Sequence, residues 1–285
     1  MEIGLAVFAT DTTVRPDELA TEVEAQGFDA LFFTEHTHMP VRHSRPSSGG
    51  PLPEEYRRTH DPFVALAVAA TATSRLRLGT GVCLVAQHDP IVLAKQVASV
   101  DVLSGGRLLL GVGYGWNIPE AEHHGVTFGE RREVLREHVL AMKALWTQDE
   151  ASFHGRYVDF APSWSWPKPA QRPHPPVVLG ADAGDRTFDH IVEFADGWMP
   201  SRGPNLEVQL PRLRQRAEDA GRDPVTIAVT VFSAPRDPAR LEQFRQLGVE
   251  RVVFWLPSAG RDDVLRALEG HLSFLEPLGH LRNPP

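Results

Sequence analysis

The sequence contains almost nothing that would suit an exported, cross-linked or membrane-bound protein. Cys83 is its only cysteine, which excludes an internal disulfide and favours a reducing compartment. The opening residues MEIGLAVFATD have no basic segment followed by a long apolar core, so we expect no signal peptide. No uninterrupted apolar run approaches the roughly 20 residues of a membrane helix. We therefore expect a cytoplasmic protein without a membrane partner.

Positive charge is also scarce. The chain has 29 Lys and Arg against 37 Asp and Glu, which gives a net charge of −8 with neutral histidines. Because nucleic-acid binding requires a basic face, we expect no nucleic-acid partner. A small anionic ligand stays compatible with this balance, since a few local arginines can hold it. The chain is long enough, at 285 residues, to bury a large core without disulfides.

Short apolar runs alternate with longer helical patterns along the whole chain. The alternation predicts parallel strands, and eight repeats predict a closed (β/α)₈ barrel, with an open doubly wound sheet as the alternative. No linker or repeat divides the sequence, so we expect one domain over 1–285, with a small hairpin inserted at 151–162 and a loose tail at 279–285. The predicted strands cover residues 3–8, 30–33, 76–84, 107–112, 176–179, 197–199, 225–232 and 252–256.

Sites in such barrels lie at the carboxyl ends of the strands, and Glu35-His36 follows the second strand. Histidine titrates near neutral pH, so His36 is a candidate acid/base group with Glu35 as its support. The pair His36 and His38 also allows a metal-dependent hydrolase, with His88 and His123-His124 as further ligands. The last predicted strand lacks the Asp that such hydrolases require.

Three glycine-containing turns follow later strands, at 79–82, 111–117 and 180–184. Glycine allows a flat ligand to approach the backbone closely, although a bulge or tight turn would give the same pattern. The second turn adds two aromatic residues and Asn117, which could form a wall. The third turn leads into a helix, whose amino end suits a phosphate. Asp182 would repel an anion there, and we expect it to cap the helix.

Together these blocks resemble the luciferase-like monooxygenase superfamily, and in particular its oxidoreductases that depend on coenzyme F420, a deazaflavin. The most specific block is LSGGRLLLGVG at 103–113, and the resemblance extends to about residue 275. The other matching segments are Glu35-His36, 76–82, 90–96, Trp116-Asn117, Arg131-Arg132, 153–157 and 195–198.

The resemblance implies a luciferase-like TIM barrel with the tricyclic ring of F420 or FMN over its mouth. It implies a non-proline cis peptide at Gly81-Val82 behind the ring, and a role for His36 in proton transfer. Sugar-phosphate dehydrogenases of the family carry a Glu where this chain has Trp116, which disfavours that substrate class. The cofactor-binding residues expected are Thr80, Gly81, Val82, Gly113, Tyr114, Gly115, Trp116, Asn117, Gly180, Ala181 and Asp182.

The main functional hypothesis is hydride transfer between F420 and a small organic substrate. Four arginines after the second predicted strand could meet the acidic tail of F420. An FMN-dependent monooxygenase is the first alternative, followed by the metal-dependent hydrolase and by a cofactor carrier without turnover. Many relatives are dimers, so a homodimer is a further expectation. The four arginines are Arg42, Arg45, Arg57 and Arg58.

Overall fold

Eight parallel strands close into a barrel, and a helix lies on the chain between each strand and the next. The computed structural model describes residues 1–44, 50–276 and 279. The predicted barrel is confirmed, and the open-sheet alternative is wrong. In chain order the barrel strands are β1 (Glu2–Val7), β2 (Ala30–Phe33), β3 (Arg77–Thr80), β4 (Leu108–Gly113), β7 (Val177–Gly180), β8 (Gly197–Trp198), β9 (Ala228–Val231) and β10 (Arg251–Trp255).

Every barrel strand pairs in parallel with the next, and β10 returns to β1. Strands β5 (Ala151–His154) and β6 (Asp159–Ser163) form a separate antiparallel hairpin between β4 and β7. Because all eight barrel strands run the same way, their carboxyl ends meet at one rim. Side chains that are far apart in the sequence are therefore brought together there.

The helices begin where the sequence provides proline and aspartate. Proline occupies the first turn of several helices because its missing N–H has no partner there in any case. Asp61, Asp89 and Asp237 cap three helices by accepting backbone N–H groups. The helices are α1 (Pro16–Ala25), α2 (Pro62–Ala72), α3 (Pro90–Leu103), α4 (Ile118–His123), α5 (Arg131–Thr147), α6 (Asp185–Phe194), α7 (Leu206–Asp219), α8 (Pro238–Gln246) and α9 (Arg261–Leu275).

The core has two parts. A large layer packs the outward strand faces against the helices, and a small cluster fills the inside of the barrel around Phe32 and Leu109. At the amino end of the barrel, buried Arg251 donates hydrogen bonds to Thr230 and to the carboxylates of Glu2 and Glu250. These side chains occupy the amino end, although Nε of Arg251 has no hydrogen-bond partner among the described residues, and the cavity described below lies at the opposite, carboxyl rim.

Two sequence expectations need correction. The third strand was expected to cover 76–84, but β3 ends at Thr80, and the chain continues through the cis peptide Gly81–Val82 and a 3-10 turn. The seventh barrel strand was expected over 225–232, but a 3-10 turn at Pro224–Thr226 delays β9 until Ala228. The expected tail beyond 279 lies outside the described residues. Within the described residues, no helix is long and apolar enough to cross a membrane.

Candidate active site

A cavity of about 660 Å³ opens at the carboxyl rim of the barrel. Glu35 and His36 follow β2 at this rim, and residues at or after the ends of the seven other barrel strands complete the wall. The structure therefore places most of the predicted site residues around one space. Those that line it are Glu35, His36, Gly81, Val82, Gly113, Tyr114, Gly115, Trp116, Gly180, Ala181 and Asp182.

The floor of the cavity is built from a valine and two residues that have no side chain. The side chain of Val82 lies between Gly113 at the end of β4 and Gly180 at the end of β7. A Cβ atom at either glycine would overlap Val82. The peptide bond between Gly81 and Val82 is cis, as the family resemblance implied. A floor with this shape fits a planar ring system such as that of F420 or FMN.

His36 is held by a carboxylate that the sequence did not reveal. Its Nδ1 lies 2.9 Å from Oε1 and 3.0 Å from Oε2 of Glu120 on α4, and both side chains are buried. A carboxylate accepts hydrogen bonds, so Nδ1 carries the hydrogen and donates it to Glu120. This arrangement fixes the tautomer and leaves Nε2 as the ring nitrogen available to a ligand.

Asn117 does not line the cavity, contrary to the sequence prediction. Its amide donates to Glu120 at 3.3 Å, and its carbonyl accepts the backbone N–H of Ser44 at 2.9 Å. Asn117 thus ties Glu120 to the loop after β2. The helix that carries Glu120 was missed, although Ile118-Pro119 and the acidic first turn are signals of a helix start.

Glu35 does not support His36, contrary to the hypothesis. Its carboxylate accepts the backbone N–H of Leu84 and pairs with Nε2 of His88 at 2.7 Å. Burial lowers the pKa of His88, but the hydrogen bond and charge of Glu35 outweigh it, so the pKa is raised. Burial raises the pKa of the neighbouring Cys83 thiol well above its usual range, which keeps that thiol protonated.

The histidines proposed for a metal site do not converge on one point. His36 bonds to Glu120, whereas Nε2 of His38 lies 2.9 Å from Nδ1 of His123 and the two rings stack. Nε2 of His124 pairs with the hydroxyl of Thr37 at 2.8 Å. The pair of His36 and His38 therefore does not present two nitrogens to one ion.

Positive charge and a helix amino end face the cavity on the side of β4 and β7. Gly184 and the first turn of α6 line the cavity, and no side chain caps that helix. Asp182 therefore does not act as the cap that the sequence predicted. Arg131, Arg132 and Arg186 line the same side, together with Asp182 and Asp185. Free backbone N–H groups beside arginines fit a phosphate.

Tyr114 organises this cationic side. Its hydroxyl lies 2.8 Å from Nδ1 of His190, and the guanidinium of Arg132 stacks 4.8 Å from its ring centroid. Burial raises the pKa of Tyr114 to about 12, so the hydroxyl stays neutral. The stacking fixes Arg132 without neutralising its charge. Arg186 is bonded to Glu133 and Arg131 to carbonyl oxygens.

Other predicted contacts lie away from the cavity. Thr80 is fully buried and donates to the carbonyl of Gly111 at 2.7 Å, so it serves the barrel wall. Arg57 pairs with Glu54, and Arg58 with Asp11 and Glu54, so these arginines are already neutralised. Arg42 is exposed and outside the cavity lining, and Arg45 lies outside the described residues.

Residues 12–268 match the model of the luciferase-like monooxygenase family. The chain belongs to this family. A likeness to two solved structures agrees with the fold. A monooxygenase from Streptomyces bottropensis superposes with a TM-score of 0.76 at 21% identity, over 98% of this chain and 100% of that one. A coenzyme F420-dependent tetrahydromethanopterin reductase from Methanopyrus kandleri gives 0.73 at 18% identity, over 99% of each chain.

Some relatives are more similar in sequence than these two structures are, and two of them have names that specify different cofactors. An uncharacterized protein of Mycobacterium tuberculosis is 42% identical, over 94% of this chain and 96% of its own. An F420-dependent glucose-6-phosphate dehydrogenase from Kineococcus radiotolerans is 30% identical, over 84% and 68%. An FMNH₂-dependent dimethylsulfone monooxygenase from Pseudomonas putida is 33% identical, over 58% and 46%. The chain is thus a luciferase-like protein whose characterised relatives are oxidoreductases.

Proposed function

We propose that the protein is an F420-dependent oxidoreductase that transfers a hydride between the coenzyme and a small organic substrate. The observation that carries this proposal is the buried pair of His36 and Glu120 at the edge of the cavity. Of the two relatives compared above by cofactor, the F420-dependent one aligns with 84% of this chain and the FMNH₂-dependent one with 58%.

The residues present fit a flavin-like coenzyme at two points. The floor formed by Val82, Gly113 and Gly180 would carry the ring system, and the cationic side with Arg132 would hold a phosphate. When bound, the deazaflavin supplies hydride transfer, for which protein side chains have no equivalent. The protein supplies binding, orientation and the proton.

His36 would move that proton. With Nδ1 bonded to Glu120, Nε2 takes a proton from a substrate hydroxyl during oxidation, or gives one to a carbonyl during reduction. Glu120 holds the ring in place and stabilises the positive charge that protonation produces. Burial of both side chains shields the hydrogen bond between them from water.

The FMN-dependent monooxygenase is the alternative. It is favoured by the finding that Arg57 and Arg58 are neutralised by acidic neighbours, since the acidic tail of F420 would need free cations there. The floor and the phosphate side serve either cofactor, because both carry a tricyclic ring and a phosphate. The choice is therefore a question of affinity.

A fluorescence titration tests the proposal. We expect oxidised F420 to bind with a dissociation constant at least about tenfold below that of FMN, a difference of roughly 1.4 kcal/mol. Arg132→Ala should weaken binding of either cofactor, and Arg266→Ala on the exposed face of α9 is the matched control. Tight binding of FMN with no binding of F420 would establish the alternative. Tight F420 binding without turnover of any alcohol or ketone would indicate a cofactor carrier.

A further inference from the structure

Aromatic side chains form a continuous wall on the side of the cavity opposite the arginines. Phe232 follows β9, Trp255 ends β10, Phe8 follows β1, and Tyr56 lies in the loop after β2. The ring centroids of Phe8 and Tyr56 are 4.6 Å apart, and those of Phe232 and Trp255 are 5.3 Å apart. Phe8 and Trp255 stack at 5.4 Å with their planes 11° apart. We call these four residues the aromatic wall.

The aromatic wall reaches the proposed acid/base group. The ring of His36 lies 5.1 Å from that of Tyr56 and 5.9 Å from that of Trp116, measured between centroids. Tyr56 and Trp116 meet edge to face at 6.1 Å. A group that exchanges a proton with His36 would therefore have aromatic rings around its remaining atoms.

Charge is distributed unevenly around the cavity. On the side of β4 and β7 the lining holds three arginines and two aspartates, namely Arg131, Arg132, Arg186, Asp182 and Asp185. Arg186 is paired with a glutamate and Asp185 with an arginine outside the lining, which leaves Arg131 and Arg132 as the described cations without a carboxylate partner there. On the side of the aromatic wall, the charged group among the described lining residues is Glu35, whose carboxylate is bonded to His88 and to a backbone amide. An anionic substrate group at the aromatic wall would lose its hydration without a described cation to replace it.

We propose, resting on the function proposed above, that the substrate is an uncharged molecule with a cyclic or aromatic ring next to a secondary hydroxyl or a ketone. The rings of the aromatic wall pack against the substrate ring, and the reacting oxygen faces His36. In oxidation the carbinol C–H bond would break and Nε2 of His36 would take the hydroxyl proton, with oxidised F420, when bound, as the acceptor of the hydride. The products are the ketone and reduced F420, and reduction is the reverse.

A matched pair of probes tests this substrate class. 1-Phenylethanol and 4-(1-hydroxyethyl)benzoate differ by one carboxylate, and loss of F420 absorbance reports their oxidation. We expect kcat/KM for 1-phenylethanol to exceed that for the benzoate by about 100-fold, because the carboxylate must be desolvated. Equal or reversed preference in a protein that binds F420 would overturn the substrate class and leave the proposed function intact.

Variants locate the effect. Trp255→Ala should raise KM for 1-phenylethanol about tenfold with little change in the dissociation constant of F420, and Trp255→Phe should restore most of the affinity. Trp164→Ala, on the exposed side of the hairpin region, is the matched control. An unchanged KM in Trp255→Ala would contradict the role of the aromatic wall.

A wrong proposed function would give a different result from a wrong substrate class. If the protein binds neither F420 nor FMN, that function is wrong, and calorimetry with 1-phenylethanol then tests the aromatic wall alone. Binding that is lost in Trp255→Ala would support the ligand class without the chemistry. Absence of binding would overturn both.

Discussion

Two buried histidine–carboxylate pairs lie at the same rim, and their surroundings separate their roles. His36 lines the cavity and Glu120 lies outside the lining, and their hydrogen bond joins the loop after β2 to α4. In the second pair Glu35 lines the cavity and His88 lies outside the lining, and Glu35 also accepts the backbone N–H of Leu84. The distances within the pairs are similar, at 2.9 Å and 2.7 Å.

The comparison shows that the position of the imidazole matters more than the presence of a pair. In the first pair the histidine lines the cavity and the carboxylate lies behind it, whereas in the second the carboxylate is the cavity residue and the histidine lies outside the lining. The first arrangement offers a ring nitrogen to a ligand. The second uses all of the carboxylate to fix the chain after the cis peptide, which makes it a structural pair.

The largest expected effect is loss of turnover in His36→Ala. General acid–base catalysis contributes roughly 10²- to 10⁴-fold, and we expect kcat to fall by that amount. Affinity for F420 should change by less than about threefold, because the floor and the phosphate side are intact. Stopped-flow reduction of F420 and a fluorescence titration measure the two quantities.

His154→Ala provides the control for that variant, since His154 is exposed on the hairpin and pairs with Asp159. Equal loss of kcat in both variants, or a loss of F420 affinity in His36→Ala that accounts for the whole effect, would contradict an acid/base role.

Glu120→Gln should give the next largest effect. The amide can still accept from Nδ1 but cannot stabilise a protonated imidazole, so we expect kcat to fall roughly 10- to 100-fold with little change in KM. Glu122→Gln, on the exposed face of the same helix, is the control. Wild-type kcat in Glu120→Gln would show that His36 works without its partner.

Sequence reasoning predicted the barrel more completely than the site. Strand β2 has the predicted bounds because Ala30–Phe33 is a short apolar run between polar segments. The apolar pattern after β3 was extended through Leu84 because a buried strand and a buried turn look alike in sequence. The family resemblance supplied the cis peptide.

The partner of His36 could not be predicted from local pattern. Glu120 is 84 residues away in the chain, and only the closure of the barrel brings the two together. In contrast, Glu35 is the adjacent residue, but successive residues of an extended chain point in different directions. Adjacency in sequence therefore favoured the wrong carboxylate. The aromatic wall was missed for the same reason, since its residues lie at or after the ends of four different strands.

Glu35→Gln should lower the free energy of unfolding, and by more than Glu120→Gln does. The single acceptor oxygen of the amide cannot bond to both the backbone N–H of Leu84 and Nε2 of His88, and we expect a loss of about 1–3 kcal/mol in the free energy of unfolding. Urea denaturation followed by circular dichroism measures it, with Glu269→Gln on the surface of α9 as the control. An unchanged midpoint would contradict the structural assignment.

The smallest predicted effect is a pH dependence of the stability loss in Glu35→Gln. The pKa of His88 is raised in the folded protein. The stabilisation that His88 provides is therefore complete at a pH below its pKa in the unfolded chain, and it is lost as the pH rises through its pKa in the folded protein. The difference in unfolding free energy between wild type and Glu35→Gln should therefore be larger near about pH 6 than near about pH 9. A difference that grows with pH would show that His88 is neutral in the fold.

A structure of the protein saturated with oxidised F420 tests the central claim most directly. We predict the deazaflavin ring on the floor formed by Val82, Gly113 and Gly180, with its reactive carbon and Nε2 of His36 facing one substrate position. The phosphate should lie near Arg132 and the first turn of α6. A ring bound outside the cavity, or on the far side from His36, would contradict the account.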